Sequence, residues 1–307
     1  MQSPIRFLMD AHLENSIVNI APERKAELNS FLGGFSLIYS GKRKWGFSAD
    51  SLKKEISVSR GSVELLWCAS LSHFVYYEHF FQGKLYNQPT VIDPNSDPRV
   101  FNALKLLHWA INNQKIGNED DDWPPILPCP QQSALKKSDE NVADELCLVS
   151  CAFILHHELA HLRLNHSADV DDALSLMQEK EADIAAAEWL LDGIDEDTPL
   201  FTKRMFGIVQ AGLTTTALGL CVGNLGGKRH PFSYDRLSSL INRFMPDNVD
   251  IIKSFVFAVL NLHFQYSGRE LKRTGFQDQE EALEYICNEL ADEMKRRKSE
   301  DVKSVKP

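Results

Sequence analysis

Four of the chain's ten histidines fall between His156 and His166, in the stretch HHELAHLRLNH. Within it, His157-Glu158-Leu159-Ala160-His161 has the form HExxH. Each helical residue advances roughly 100°, so positions four apart stand within about 40° of each other, one turn along the axis. His157 and His161 can therefore reach one ion together. Glu158 flanks the same face, where it can touch a metal-bound water without being a ligand. Two imidazole ligands and an adjacent general base are the parts of zinc-assisted hydrolysis. His156 projects about 100° away from His157, and His166, five residues past His161, falls on a different face, so neither is in register with the pair.

A catalytic zinc needs a third protein ligand. The metzincin arrangement would place Gly at position 164 and His at 167, where this chain has Leu164 and Ser167, so that class is excluded. A carboxylate on another helix is expected instead. The segment MQEKEADIAAAEWLLDG, 177–193, offers Glu179 and, four residues on, Asp183 on the same helix face. Glu179 can complete a two-His, one-Glu site while Asp183 accepts the other ring N–H of a ligand, His157 first. Glu181 points roughly 200° from Glu179 and is the weaker candidate. Ala182, Ala185 and Ala186 would let this helix lie close to the HExxH helix. The run before the motif, ELCLVSCAFIL, is almost wholly apolar, and burying two histidines and a glutamate beside it is costly without a metal or a set of partners. Downstream, His230 stands before Pro231 in GGKRHPFSYDRL, a rigid corner that suits a residue held near a substrate and equally a surface histidine.

The elements that must hold these residues are mostly helical. The fold class expected is mainly α (α+β), one domain over 1–307. Residues 1–60 carry a helix near Pro22 to Leu32 and a small antiparallel sheet from FSLIYS, WGFSAD and EISVSR. Residues 61–140 carry two apolar-periodic helices and a proline-rich loop whose acidic run, Glu119 to Asp122, reads as a solvated face. Residues 141–298 form the helical core with the motifs, and 299–307 a frayed tail.

A formal charge of -10 argues against nucleic acid as a partner. The start lacks the apolar run of a secretory signal, which points to the cytoplasm, and the six scattered cysteines are expected to be reduced. Met205 to Leu225 has no charged residue and approaches bilayer-spanning length; it reads as a buried core helix, with membrane insertion as the alternative.

HELAH, then E-K-E-A-D from Glu179 to Asp183, then H-P-F-S-Y-D-R from His230 to Arg236, resemble a gluzincin-type metallopeptidase. The Glu-x-x-Ala-Asp form and the His-Pro with Arg six residues past the His resemble the HtpX-like peptidases. EKEADIAAAEWLLDG and the LLWCA and LLHWA helices are similar to the phage-exclusion Lit peptidase family, whose founding activity is proteolysis of a translation elongation factor. The resemblance implies Zn2+ held by His157, His161 and Glu179, Glu158 as base, Asp183 as orienter, and His230 with Arg236 stabilising the transition state. HtpX-like proteins begin with transmembrane helices, and no such pair is visible before the motif, so a Lit-like soluble or membrane-associated enzyme is the better match.

The function expected is peptide-bond hydrolysis in a protein substrate. A zinc-binding sensor or interaction protein without turnover would have no reason to keep Glu158 beside the metal. A small-molecule metallohydrolase would need a closed pocket in place of an open cleft with a strand edge.

Overall fold

The computed structural model describes residues 4–31, 35–82, 97–116, 122–131, 135–222, 230–231, 233–246, 250–266 and 275–304. The chain opens on a helical rod made of α1 (Ile5–Leu8), a wider turn (Met9–Leu13) and α2 (Glu14–Asn19). The sequence reading assigns no helix here. Ile5, Leu8, Met9, Leu13 and Ile17 form its buried stripe. Pro22 then starts a short turn into α3 (Lys25–Phe31), close to the expected helix.

Three strands follow, β1 (Ser36–Ser40), β2 (Phe47–Asp50) and β3 (Glu55–Ser59), in the spatial order β1-β3-β2. β2 pairs antiparallel with β3, but β1 runs parallel to it, so the sheet is mixed where a purely antiparallel one is expected. The reason lies in the connection between β1 and β2. Arg43 is buried and ion-paired to Glu64 at 3.1 Å, and Lys42 O accepts Gly61 N–H. These contacts pin the connection across the chain entering α4, so β2 starts on the far side of β3 and no β1–β2 hairpin forms. The β2–β3 reversal is tight: Asp50 Oδ1 accepts the N–H groups of Leu52 and Lys53, and Lys54 takes φ 55°.

Eight helices follow among the described residues: α4 (Arg60–Gln82), α5 (Pro98–Ile116), α6 (Asp139–Arg163), α7 (Asp172–Leu191), α8 (Pro199–Val222), α9 (Ser233–Phe244), α10 (Asp250–Tyr266) and α11 (Gln279–Ser304). Local signals fix several ends. Ser138 Oγ accepts Asn141 N–H at the start of α6, Asp171 accepts Leu174 N–H at the start of α7, and Gly193 at φ 76° closes α7. α11 continues to Ser304, into the stretch expected as a frayed tail, because Lys, Glu and Arg propagate a helix and neither Gly nor Pro interrupts it. Most of the acidic run 119–122 and the Gly-Gly turn before His230 lie outside the described residues.

α6 is the spine, packed against α4, α7, α8 and β2. Its approach to α8 is very close. A Cβ on Gly207 would stand 2.0 Å from Val149 Cγ1, and Ser150 Oγ donates to Gly207 O at 3.0 Å. α8 contains most of the uncharged run. Its Met205, Ile208, Val209 and Leu213 are buried among neighbouring helices, and no helix among the described residues is long and apolar enough to cross a membrane. Cys68, Cys129, Cys147, Cys151 and Cys287 are unbridged.

The polar residues of α8 meet a buried histidine pair. Gln210 Oε1 lies 2.9 Å from His73 Nδ1, and His73 Nε2 lies 3.1 Å from His263 Nε2. Burial pushes His73 from 6.5 down to about 4 and lowers His263 as well. Both are therefore neutral in the fold, while the unfolded chain takes up protons as pH falls through 6.5. Stability from this pair is complete above that value and is lost progressively toward about pH 4, at up to about 1.4 kcal/mol per pH unit for each group. Urea denaturation at stepped pH should show the decline begin near pH 6.5; a flat free energy down to about pH 5 would contradict it.

Candidate active site

α6 and α7 lie side by side and bring three electron-pair donors together. His157 Nε2 and His161 Nε2 are 3.1 Å apart, and Glu179 places Oε2 3.6 Å from the first and Oε1 3.6 Å from the second. Among the described residues this trio is the group of His, Cys, Asp and Glu side chains spaced to hold a metal. With Zn–N and Zn–O distances of about 2.0–2.2 Å, neighbouring ligand atoms of a tetrahedral zinc stand roughly 3.3–3.6 Å apart. The two 3.6 Å separations fall within that range, and the two imidazole nitrogens at 3.1 Å stand slightly closer.

The proton positions fit that ion too. Asp183 Oδ1 lies 2.9 Å from His157 Nδ1. A carboxylate only accepts, so Nδ1 carries the hydrogen and Nε2 presents a bare lone pair to Glu179. Asp183 is fixed from behind by Arg236, whose Nε and Nη2 donate to Oδ2 and Oδ1 at 2.8 and 2.6 Å. Burial alone would raise the Asp183 pKa. The Arg236 charge and the bonds from His157 and Arg236 outweigh it and hold the group well below the usual carboxylate range. Arg236 Nη2 also stands 3.4 Å from His157 Nδ1, a contact between two donors served by the same carboxylate oxygen.

Glu179 is buried, which opposes its charge. A hydrogen bond from His230 and the nearby His157 and Arg236 reverse the effect and bring it to about 2. His230 Nδ1 lies 3.1 Å from Glu179 Oε1 with its side chain 68% exposed, so it stands on the open side of the site. Arg236 is on the closed side, 26% exposed, with Nη1 3.5 Å from Glu179 Oε2. Burial likewise pushes His161 down to about 4, which keeps the ring neutral.

Glu158 is buried beside the trio. Desolvation raises its pKa, the Glu179 charge adds to that, and His157, Arg236 and the backbone N–H of Ala49 pull the other way. Ala49 belongs to β2, the edge strand. Ser59 N–H donates to Gly46 O, and antiparallel bonding alternates, so Ser48 and Asp50 face β3 while Phe47 and Ala49 turn their backbone polar groups to the free edge.

The remaining histidines have other partners. His156 Nε2 bonds Ile17 O at 3.0 Å, and its ring stacks on Trp189 with centroids 5.2 Å apart. His166 is out of register by helix geometry, yet it meets the site. Its Nδ1 lies 2.9 Å from His161 Nδ1, and its Nε2 lies 3.1 Å from Glu181 Oε2. Sequence reading sets His166 aside as out of register and ranks Glu181 as the weaker candidate; the signal it misses is Asn165, a residue type that tolerates a left-handed helix cap.

A site of this construction is one that peptidases use, and the comparisons place the chain among them. Residues 56–256 match the model of the Peptidase U49 family, and the chain belongs to that family. It is 30% identical over 275 residues to the "Cell death peptidase" of Escherichia coli (strain K12), a match covering 86% of this chain and 90% of that protein. No solved structure matches.

The Asp183–Arg236 pair is the most tightly bonded part of the site, and neither partner is more than about a quarter exposed. Replacing Asp183 by Ala strips the Arg236 guanidinium of its two close bonds, leaving only the 3.5 Å approach to Glu179, and should destabilise the fold by roughly 3 kcal/mol. The double variant Asp183→Leu with Arg236→Met removes both charges and should lose less. Urea denaturation of the three proteins checks this; a double variant weaker than the single would show that the pair is not what holds the helices.

Proposed function

We propose that this peptidase is a zinc-dependent endopeptidase acting on a protein substrate. The observation that carries the reading is the convergence of His157, His161 and Glu179 at tetrahedral ligand spacing, with Glu158 beside them. When bound, zinc supplies Lewis acidity, polarising the scissile carbonyl and lowering the pKa of a water molecule. Glu158 takes the proton from the attacking water and hands it to the leaving amine; burial raises its pKa, which suits a group that must do both. Asp183 keeps His157 in the tautomer that offers Nε2, and Arg236 keeps Asp183 ionised and in place.

His230 is the exposed cation-forming group at the rim, and its Glu179 contact raises its pKa. It donates to the oxyanion of the tetrahedral intermediate. Arg236 Nη1 adds positive charge from behind Glu179. The edge position of β2 supports an extended substrate segment, which would pair with the outward backbone groups of Phe47 and the carbonyl of Ala49, whose N–H already serves Glu158. The Lit-like resemblance supports phage exclusion as the setting and a translation factor as the substrate class. The single domain over 1–307 and a cytoplasmic location belong to the same reading.

Glu158→Gln keeps the ligands and removes the base, so it should retain zinc while cleavage falls by at least about a hundredfold. Mass-spectrometric mapping of new protein N-termini in cells expressing wild type against Glu158→Gln would identify the cut. Identical N-termini in both would remove Glu158 from its role. Treating purified enzyme with a chelator should abolish cleavage of the target so found, and stoichiometric Zn2+ should restore it; activity that survives complete metal removal would end the zinc reading.

A further inference from the structure

α6 ends in a turn that has a chemical consequence. Asn165 takes φ 55°, its N–H reaches Leu162 O at 3.3 Å, and His166 N–H reaches His161 O at 2.9 Å. This is the paired-bond helix cap in which the residue after the left-handed position folds back over the helix's last turn. An apolar contact usually accompanies such a cap. Here the contact is between two imidazoles, the rings of His161 and His166, with centroids 5.0 Å apart and planes at 71°.

Two further distances fix the protons. His166 Nε2 lies 3.1 Å from a carboxylate oxygen of Glu181, which can only accept, so Nε2 carries the hydrogen. The other nitrogen of neutral His166, Nδ1, is then an acceptor, and it lies 2.9 Å from His161 Nδ1. His161 must supply the hydrogen, and its Nε2 is left bare, facing Glu179 and His157 Nε2.

We propose that His166 and Glu181 are positioning residues that set the ring angle and zinc-binding tautomer of His161, the counterpart of what Asp183 and Arg236 do for His157. This rests on reading His157, His161 and Glu179 as the zinc ligands. The helix cap itself needs only the backbone of Asn165 and His166. The side-chain chain from His161 through His166 to Glu181 is additional, and it runs from α6 to α7, the two helices that supply the ligands.

The test is zinc affinity of the purified full chain, measured by competition with a chromophoric chelator, together with the visible spectrum of the Co2+-loaded protein. His166→Leu should raise the Kd for zinc by about 10-fold to 100-fold and shift the Co2+ bands. Glu181→Leu should do so less strongly, and Glu181→Gln, whose amide oxygen still accepts from His166 Nε2–H, should restore most of the affinity. Glu181 is 58% exposed, so its variants carry the test even if His166→Leu fails to fold. Wild-type Kd and Co2+ spectrum in folded His166→Leu and in Glu181→Leu would overturn the inference while leaving the zinc reading intact. A wild-type chain that binds no zinc would overturn both.

Discussion

Lone pairs that converge without a hydrogen between them repel, and the site in this protein is organised around such a convergence. His157 Nε2 and His161 Nε2 face each other at 3.1 Å with the Glu179 carboxylate 3.6 Å from each. In water such groups would separate or take up protons. Here burial disfavours protonation of His161, and the hydrogen on His157 is committed to Asp183 on the far side of the ring. The cluster's negative potential is relieved from its margin, by the Arg236 guanidinium and by the His230 ring beside Glu179. A divalent ion completes it in the strict sense that every lone pair then has a partner.

Holding the cluster together is a matter of helix packing. α6 and α7 approach closely because alanines 182 and 186 face inward without exposure. The opposite flank of α6 is fixed by Gly207 of α8, where no side chain intervenes, and Arg236 of α9 bonds across to Asp183 of α7. α7 and α8 are therefore tied to the spine, and α9 to α7, by contacts that tolerate little displacement. The sheet contributes at one point, where the Ala49 backbone meets Glu158.

What could be read from the sequence follows from the range of the interactions involved. Helical periodicity is local, and the pairs His157 with His161 and Glu179 with Asp183 are both four-residue steps, so their shared faces were visible without coordinates. The long helices were equally plain. Asp183 with Arg236 is 53 residues apart and left no local trace; Arg236 entered by family likeness alone. The mixed sheet depends on buried Arg43 reaching Glu64, a tertiary event. The rod at 5–19 is hidden in the sequence because its apolar stripe is interrupted by a wider turn, and His166 looks out of register because straight-helix geometry does not hold past the cap that reverses it.

Adjacent histidines on α6 have a mechanical consequence. His157 faces the ligand cluster, while His156 is clamped between the Ile17 carbonyl and the Trp189 indole on another side of the same helix. Any roll of α6 about its axis that would spread the trio must also drag an imidazole off an aromatic face and out of a hydrogen bond. The two side chains act as a detent against axial rotation, so the placement of His157 opposite His161 and Glu179 is enforced from the wall behind it.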